Sequence, residues 1–372
     1  MKKTVIALSI AAGMTSVSGV FANSIEDRLV AMEKRLQQLE QTVAAQQDTI
    51  RQKDQQIAQM SESSSSTDGS WFKAVEIGGV VEIEAQQVSP DGAADTSDIY
   101  VATAELGVAA QVNDWVSAEI VLLYEDDGSH SGEIDVDVAT INIADPDSNW
   151  FMTTGQYTLP FGNYSTNLVS DPITLDAGET SDVAFEFGLS NSGLSGSIYA
   201  FRGDQESEIK NYGLNLGYEA GNENFVFNGG LGWLNDISET NSVVDDATMM
   251  TNKAAGWTAF AQFDTGSFTI IGEYLAATES LDAYSTTDEP SFFNIEAALG
   301  FNAIGKPAVV AIGYQGSDEA SSYAGGMDEK RTLAALSMEI MDNTNIGIEY
   351  MKSEDYTGAD TDTVTGQLAV EF

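Results

Sequence analysis

The chain has 372 residues, no cysteine and one histidine, and its 58 acidic residues against 15 basic ones give a formal net charge of −43. That charge opposes binding to nucleic acid or to an anionic lipid face, and the absent thiols exclude disulfides, thiolate metal centres and cysteine nucleophiles. With 42% hydrophobic residues in short alternating runs, the composition is not that of a disordered acidic tail.

The first element is an export signal. Lys2 and Lys3 precede the apolar run "TVIALSIAAGMTSVSGV", and Val20 and Ala22 stand at the minus-three and minus-one positions of a cleavage before Asn23. Residues 1–22 are therefore read as a signal peptide, whose loss takes the charge from −43 to −45. Residues 23–60 follow a different period. Ile25, Leu29, Met32, Leu36, Leu39, Val43, Ile50 and Ile57 form a four-three seam interrupted by Gln46 and Lys53, which predicts a self-associating α-helical coiled coil. The competing reading is a helix packed on its own barrel. Residues 61–70, "SESSSSTDGS", are a polar linker.

From Trp71 to Phe372 the period is two. We expect about sixteen strands, near 74–87, 99–112, 115–125, 133–143, 149–157, 182–189, 193–202, 210–219, 224–234, 255–264, 267–278, 291–301, 307–315, 331–341, 344–352 and 363–372. In the first, Val75, Ile77, Val81, Ile83 and Ala85 alternate with Glu76, Glu82, Glu84 and Gln86; in the twelfth, Phe293, Ile295, Ala297, Leu299 and Phe301 alternate with Asn294, Glu296, Ala298 and Gly300. Short turns such as "VND", "DTG" and "MDN" alternate with long polar connections such as "SPDGAADTS", "EDDGSHSG" and "GSDEASSYAGGMDEK". That parity, with no later run long enough for a membrane helix, predicts an all-β, antiparallel up-and-down transmembrane barrel in the outer membrane, in contact with lipid and lipopolysaccharide. An even strand number places both barrel ends, and the coiled coil with its reach toward the cell wall, in the periplasm. The last strand carries Val364, Gly366, Leu368, Val370 and Phe372 on one face; Phe372 is read as an assembly signal. Trp71, Trp115, Trp150, Trp233 and Trp257 fall near strand ends, where interfacial girdles sit.

If the apolar faces meet lipid, the residues between them line the lumen. They include Glu82, Glu84, Glu105, Glu119, Glu186, Glu296, Glu339 and Glu349. From residue 71 onward eight basic residues face fifty acidic ones. Such a passage concentrates cations and excludes anions; the bland alternative is that carboxylates solubilise loops or hold divalent ions against lipopolysaccharide. The third long connection, "TLPFGNYSTNLVSDPITLDAGETS", contains Leu168, Val169, Ile173 and Leu175, which a loop bathed in water does not need. We expect it to fold into the barrel, as the third loop does in many sixteen-stranded porins, with Tyr164, Asn167, Asp171, Asp176 and Glu179 at the constriction. Packing at a subunit interface is the competing reading.

The stretch "GQYTLPFGNYSTNLVSDPITLDAGET", preceded by an exported coiled coil and Ser-rich linker and followed by acidic strands to a terminal Phe, resembles the LbtU-type siderophore porin family over essentially the whole mature chain. The resemblance implies an outer-membrane barrel that passes ferric siderophore without a globular plug, and it carries over no ligand residue. The acidic lumen suits a neutral or cationic chelate. The alternatives are a general cation-selective porin and a structural tether with a closed pore. Catalysis, a metal centre and a cofactor are not expected, because the one histidine, His130, lies in the loop "EDDGSHSGE" and a nucleophile-base pair has little to build on. A homotrimer reinforced by the coiled coil is expected.

Overall fold

The computed structural model describes residues 74–126, 128–203, 207–222, 224–241, 253–281, 288–321 and 327–372. The predicted signal peptide, coiled coil and linker lie outside them, as does Trp71. Sixteen strands follow one another: β1 (Ala74–Pro90), β2 (Thr96–Gln111), β3 (Val116–Glu125), β4 (Ile134–Ala144), β5 (Trp150–Thr158), β6 (Ser181–Asn191), β7 (Leu194–Phe201), β8 (Asn211–Asn222), β9 (Phe225–Leu234), β10 (Gly256–Thr265), β11 (Phe268–Ala277), β12 (Ser291–Ala303), β13 (Lys306–Asp318), β14 (Lys330–Met341), β15 (Thr344–Glu354) and β16 (Asp360–Glu371). Each pairs antiparallel with its sequence neighbours, and β16 closes on β1, so the sheet has no free edge.

Connections of two to five residues, such as 192–193 and 342–343, mark one end of the barrel, and connections of five residues or more, headed by 159–180, mark the other. One predicted long loop is shorter than the sequence suggested. Val88 pairs with Thr96 and Pro90 with Thr361, leaving only 91–95 between β1 and β2. Ladder bonds use the backbone, so the strands continue past the point where apolar alternation stops.

The apolar face points outward. Ile295, Leu299, Ile312, Ile348 and Leu368 are exposed on the barrel surface, while Asn294, Glu296, Ala298, Glu349 and Thr365 on the alternate positions are buried. Outward aromatics cluster at two levels. Trp115 and Trp150 meet at 6.0 Å and Phe225 and Phe263 at 5.8 Å near the short-turn end; Tyr212 and Trp233 at 5.7 Å, Trp257 and Tyr274 at 5.2 Å, and Phe293 and Tyr314 at 5.5 Å lie near the long-loop end. An apolar band between aromatic belts is the surface a bilayer requires.

The hydrophobic core lies inside the barrel. Leu159, Phe161, Ile173, Ala177, Leu234, Ile237, Leu275 and Phe292 form its main cluster. It joins the wall to two inserted segments, the 159–180 connection (L3) with its short helix α1 (Ile173–Gly178), and a turn of 3-10 helix at Ile237–Glu239. A second cluster seats Leu168 of L3 on Ala298, Ala311, Leu333 and Ala335.

The closing seam holds the last residue. The Gly79 N–H donates to the Phe372 carbonyl and the Phe372 N–H to the Gly79 carbonyl, each at 3.0 Å. A Cβ on Gly79 would stand 2.5 Å from the Glu105 carbonyl oxygen and 2.8 Å from the Phe372 ring, whereas one on Gly107 meets nothing closer than 3.7 Å. Gly79→Leu is therefore expected to open the β1–β16 seam at a cost of about 1–3 kcal/mol. The readout is a lower melting temperature of the detergent-resistant folded band, with Gly107→Ala close to wild type.

Candidate functional site

A loop with little regular structure can enter a barrel only if the wall supplies partners for its backbone. Here six consecutive strands supply partners to the loop, five of them to its backbone and β14 to a side chain. Thr258 of β10 donates its hydroxyl to the Phe161 carbonyl. Glu273 of β11 accepts the Asn163 N–H at 2.8 Å, the Tyr164 N–H at 3.1 Å and the Thr174 hydroxyl at 2.9 Å. Glu296 of β12 accepts the Thr166 hydroxyl at 2.6 Å and the main-chain and side-chain amides of Asn167 at 2.8 and 2.7 Å. Gln315 of β13 accepts the Ile173 N–H at 3.0 Å, and Arg331 of β14 donates to Asp176 at 2.8 Å. Glu349 of β15 accepts the Val169 N–H at 2.7 Å and the Ser170 N–H and hydroxyl at 3.2 and 2.5 Å.

Register explains the arrangement. Glu273, Asn294, Gln315, Arg331 and Ser353 pair in turn across β11 to β15 and form one polar row. Ala298, Ala311, Ala335 and Glu349 form another, whose small side chains leave the room that Leu168 fills. A glycine serves the same end on β9, since a Cβ on Gly232 would collide with the Phe161 carbonyl.

A second segment braces the first. Ile237 is fully buried against L3, Asp236 caps its turn by accepting the Ser238 N–H, and Lys253 lies 3.5 Å from Asp236. Asn211 donates to Glu239 at 3.0 Å. Asn241 donates its N–H to the Glu179 carbonyl at 2.8 Å and accepts the Ser181 N–H at 2.9 Å, which ties this segment to the foot of L3.

Across the lumen, β1 to β4 present an acidic wall. The charges acting on Glu105 are those of Asp137, Glu119 and Glu82. Asp137 sits where the β3–β4 register slips, between the pairs Val121–Val138 and Leu122–Val136, and such bulges re-aim a side chain. The same Asp137 acts on Glu179 of L3, together with Asp171. Burial first, and then these two carboxylates, push the Glu179 carboxyl up to about 8, against weaker stabilisation by Thr158 and Asn241.

The predicted lumen acids thus separate by task. Glu82, Glu105 and Glu119 belong to the acidic wall. Glu296 and Glu349 do not line open water: they are 1% and 2% exposed because L3 lies on them. Glu84 accepts the Tyr100 hydroxyl at 2.8 Å and the Gln367 amide at 3.2 Å, and Glu186 accepts the Tyr157 hydroxyl at 3.1 Å. Glu339 is 3.6 Å from Lys306 by a short turn and marks the rim. Of the predicted constriction residues, Tyr164 is buried and Asn167 and Asp176 are spent on anchoring, so these three fasten L3 where the sequence suggested that they line the passage. Glu179 stands in the field of Asp137 of the acidic wall and of Asp171. His130 is an exposed loop residue 2.9 Å from Asp98.

Sequence reasoning missed Glu273, Gln315, Arg331 and Asp137. In "TIIGEYLAA" both faces of β11 are apolar, because Ile271 and Leu275 are buried inward, Leu275 in the cluster with L3, and alternation gives no sign there of a lumen position. "IDVDV" did carry a signal, since Asp135 and Asp137 alternate with Ile134, Val136 and Val138.

No family model matches the chain. Among curated proteins it is 27% identical over 336 residues to a UPF0422 protein of Legionella pneumophila (strain Philadelphia 1), an alignment covering 74% of this chain and 62% of the relative. A UPF0422 protein of Coxiella burnetii (strain RSA 493 / Nine Mile phase I) is 24% identical over 282 residues, covering 70% and 60%. The chain thus spans about three-fifths of the length of the curated relatives it matches. Among solved structures, the outer-membrane channel DcaP of Acinetobacter baumannii superposes with a TM-score of 0.58 at 13% identity, covering 80% of this chain and 97% of that one. OmpT of Vibrio cholerae, an outer-membrane protein solved in a trimer form, gives 0.50 at 13% identity, covering 80% and 99%. The chain therefore has the closed sixteen-strand antiparallel barrel fold of outer-membrane channels and porins.

Removing a carboxylate anchor strands the L3 amides that it served, at about 1–3 kcal/mol each. The double variant Glu296→Ala/Glu349→Ala is expected to loosen L3 and raise single-channel conductance in a planar bilayer, and deletion of 164–178 to raise it further. Conductance unchanged in both means that L3 does not limit passage.

Proposed function

We propose that this chain is a porin of the bacterial outer membrane that passes small polar solutes by diffusion through an acidic lumen narrowed by L3, and that it is not an enzyme. The observation that carries the reading is the inserted loop, fastened by side chains of six strands, three of them lumen carboxylates, and facing a wall of Glu82, Glu105, Glu119 and Asp137. An outward apolar band between aromatic belts supports the membrane placement, and OmpT, a neighbour solved as a trimer, supports a homotrimer. In the same reading, residues 1–22 are a cleaved signal, 23–60 a periplasmic coiled coil and Phe372 an assembly signal.

For the solute, the resemblance to LbtU-type siderophore porins points to a ferric siderophore. Acidic groups on both L3 and the facing wall favour a neutral or cationic chelate, since an anionic one is repelled from both sides. The second reading, a general cation-selective porin, is favoured by the same acids together with the volume that L3 and residues 235–241 occupy. A structural tether is the third.

The deciding measurement is single-channel current in a planar bilayer under a salt gradient, before and after a ferric siderophore is added on the long-loop side. The expected outcome is a reversal potential of cation-selective sign with concentration-dependent block. Cation-selective current without block supports the general porin, and no current supports the tether. Glu105→Gln/Asp137→Asn is expected to move the reversal potential toward zero while leaving the barrel folded.

A further inference from the structure

The two inserted segments meet at Glu179. Its carbonyl oxygen accepts the Asn241 N–H at 2.8 Å, and its carboxyl accepts the Thr158 hydroxyl at 3.4 Å and a side-chain bond from Asn241. Asn241 in turn holds the first residue of β6 through Ser181, whose hydroxyl lies 3.1 Å from that of Thr158. One carboxyl, 3% exposed, thus sits where β5, β6, L3 and the 235–241 segment come together. The charged groups acting on it are Asp137 from β4 and Asp171 from L3 itself; β5, β6 and the 235–241 segment contribute the uncharged Thr158, Ser181 and Asn241.

We propose that Glu179 is a proton-operated fastener between L3 and residues 235–241, joining them while its carboxyl carries a proton and loosening them when it ionises. The neutral acid suits a dry site between two carboxylates, and the anion does not. The least costly relief is a shift of the foot of L3, residues 177–180, that brings the new charge into lumen water. Because the Glu179 carbonyl moves with its side chain, that shift breaks the bond from the Asn241 N–H. The sign follows from the direction of the shift: the group is displaced upward from 4.5 to about 8, so its contribution to docking is full below the lower value and is lost progressively as pH rises to the upper one. The fastener regulates the lumen described above and depends on the porin reading only for its electrical readout.

The test uses the full chain in detergent micelles and in bilayers. Hydrogen-exchange protection of the Asn241 amide, corrected for intrinsic rate, is expected in wild type to fall progressively from about pH 5 and to level off near pH 8, with a change in unit conductance or closure frequency over the same range. Glu179→Gln, an isosteric mimic of the protonated acid, is expected to hold the protection and the low-pH conductance throughout. Asp137→Asn removes one repelling charge and is expected to end the decline at lower pH and to make the loss of protection smaller. A transition unchanged in Glu179→Gln, or wild-type protection insensitive to pH, overturns the proposal. If no current flows at any pH the porin reading fails, while the exchange measurement still decides the fastener.

Discussion

The structure depends on one requirement: a peptide chain without regular secondary structure, placed inside a barrel, must have its N–H groups met by the wall. In L3 the amides of Asn163, Tyr164, Asn167, Val169 and Ser170 are all met by glutamates that rise from β11, β12 and β15. A glutamate suits the task because its two oxygens accept several bonds, and its length spans the gap between a strand and a loop lying over it. Three glutamates therefore serve five main-chain amides of the loop.

The same requirement divides the barrel. Strands β9 to β13 carry apolar residues on both faces, because one meets the outside and the other packs against L3 or Ile237; Leu234, Leu275 and Phe292 are fully buried inward residues. Strands β1 to β4 keep more polar residues inside, with Thr103 and Thr140 among the lumen groups beside Val80, Val121 and Leu123, and Thr153 of β5 bonded to Asn142 at 2.8 Å. One side of the lumen thus behaves as a protein core, and the other as the lining of an aqueous path.

That division decides what could be read from the sequence. Strand number, direction and facing were legible because an apolar exterior imposes a period of two, as in β12, where Ile295 and Leu299 lie outside and Glu296 inside. L3 was legible from Leu168 and Ile173, apolar residues in a connection. Its anchors were only half legible: Glu296 and Glu349 stood out as inward acids, but nothing local in the sequence distinguishes an acid that will hold a loop from one that will face water. Glu273 was hidden by its apolar neighbours Ile271 and Leu275. The bulge that brings Asp137 toward Glu179 depends on pairing with β3, a long-range relation that no run of residues displays.

The acids of the lumen also show how a strongly negative chain can tolerate its own charge. A carboxylate removed from water has three ways out: a cation or donors beside it, a proton on it, or a return to solvent. Amide and hydroxyl donors stand beside Glu273, Glu296 and Glu349, and Arg331 stands beside Asp176. Glu179, caught between Asp137 and Asp171, takes the second. Glu119, exposed on the inner face of β3, takes the third, and there mobile cations from the bathing solution supply the balance. Burial by L3 thus sorts chemically identical side chains into loop anchors, a proton carrier and an ion-attracting wall, and the path of the loop, more than the composition of the strands, sets which carboxylates a passing solute meets.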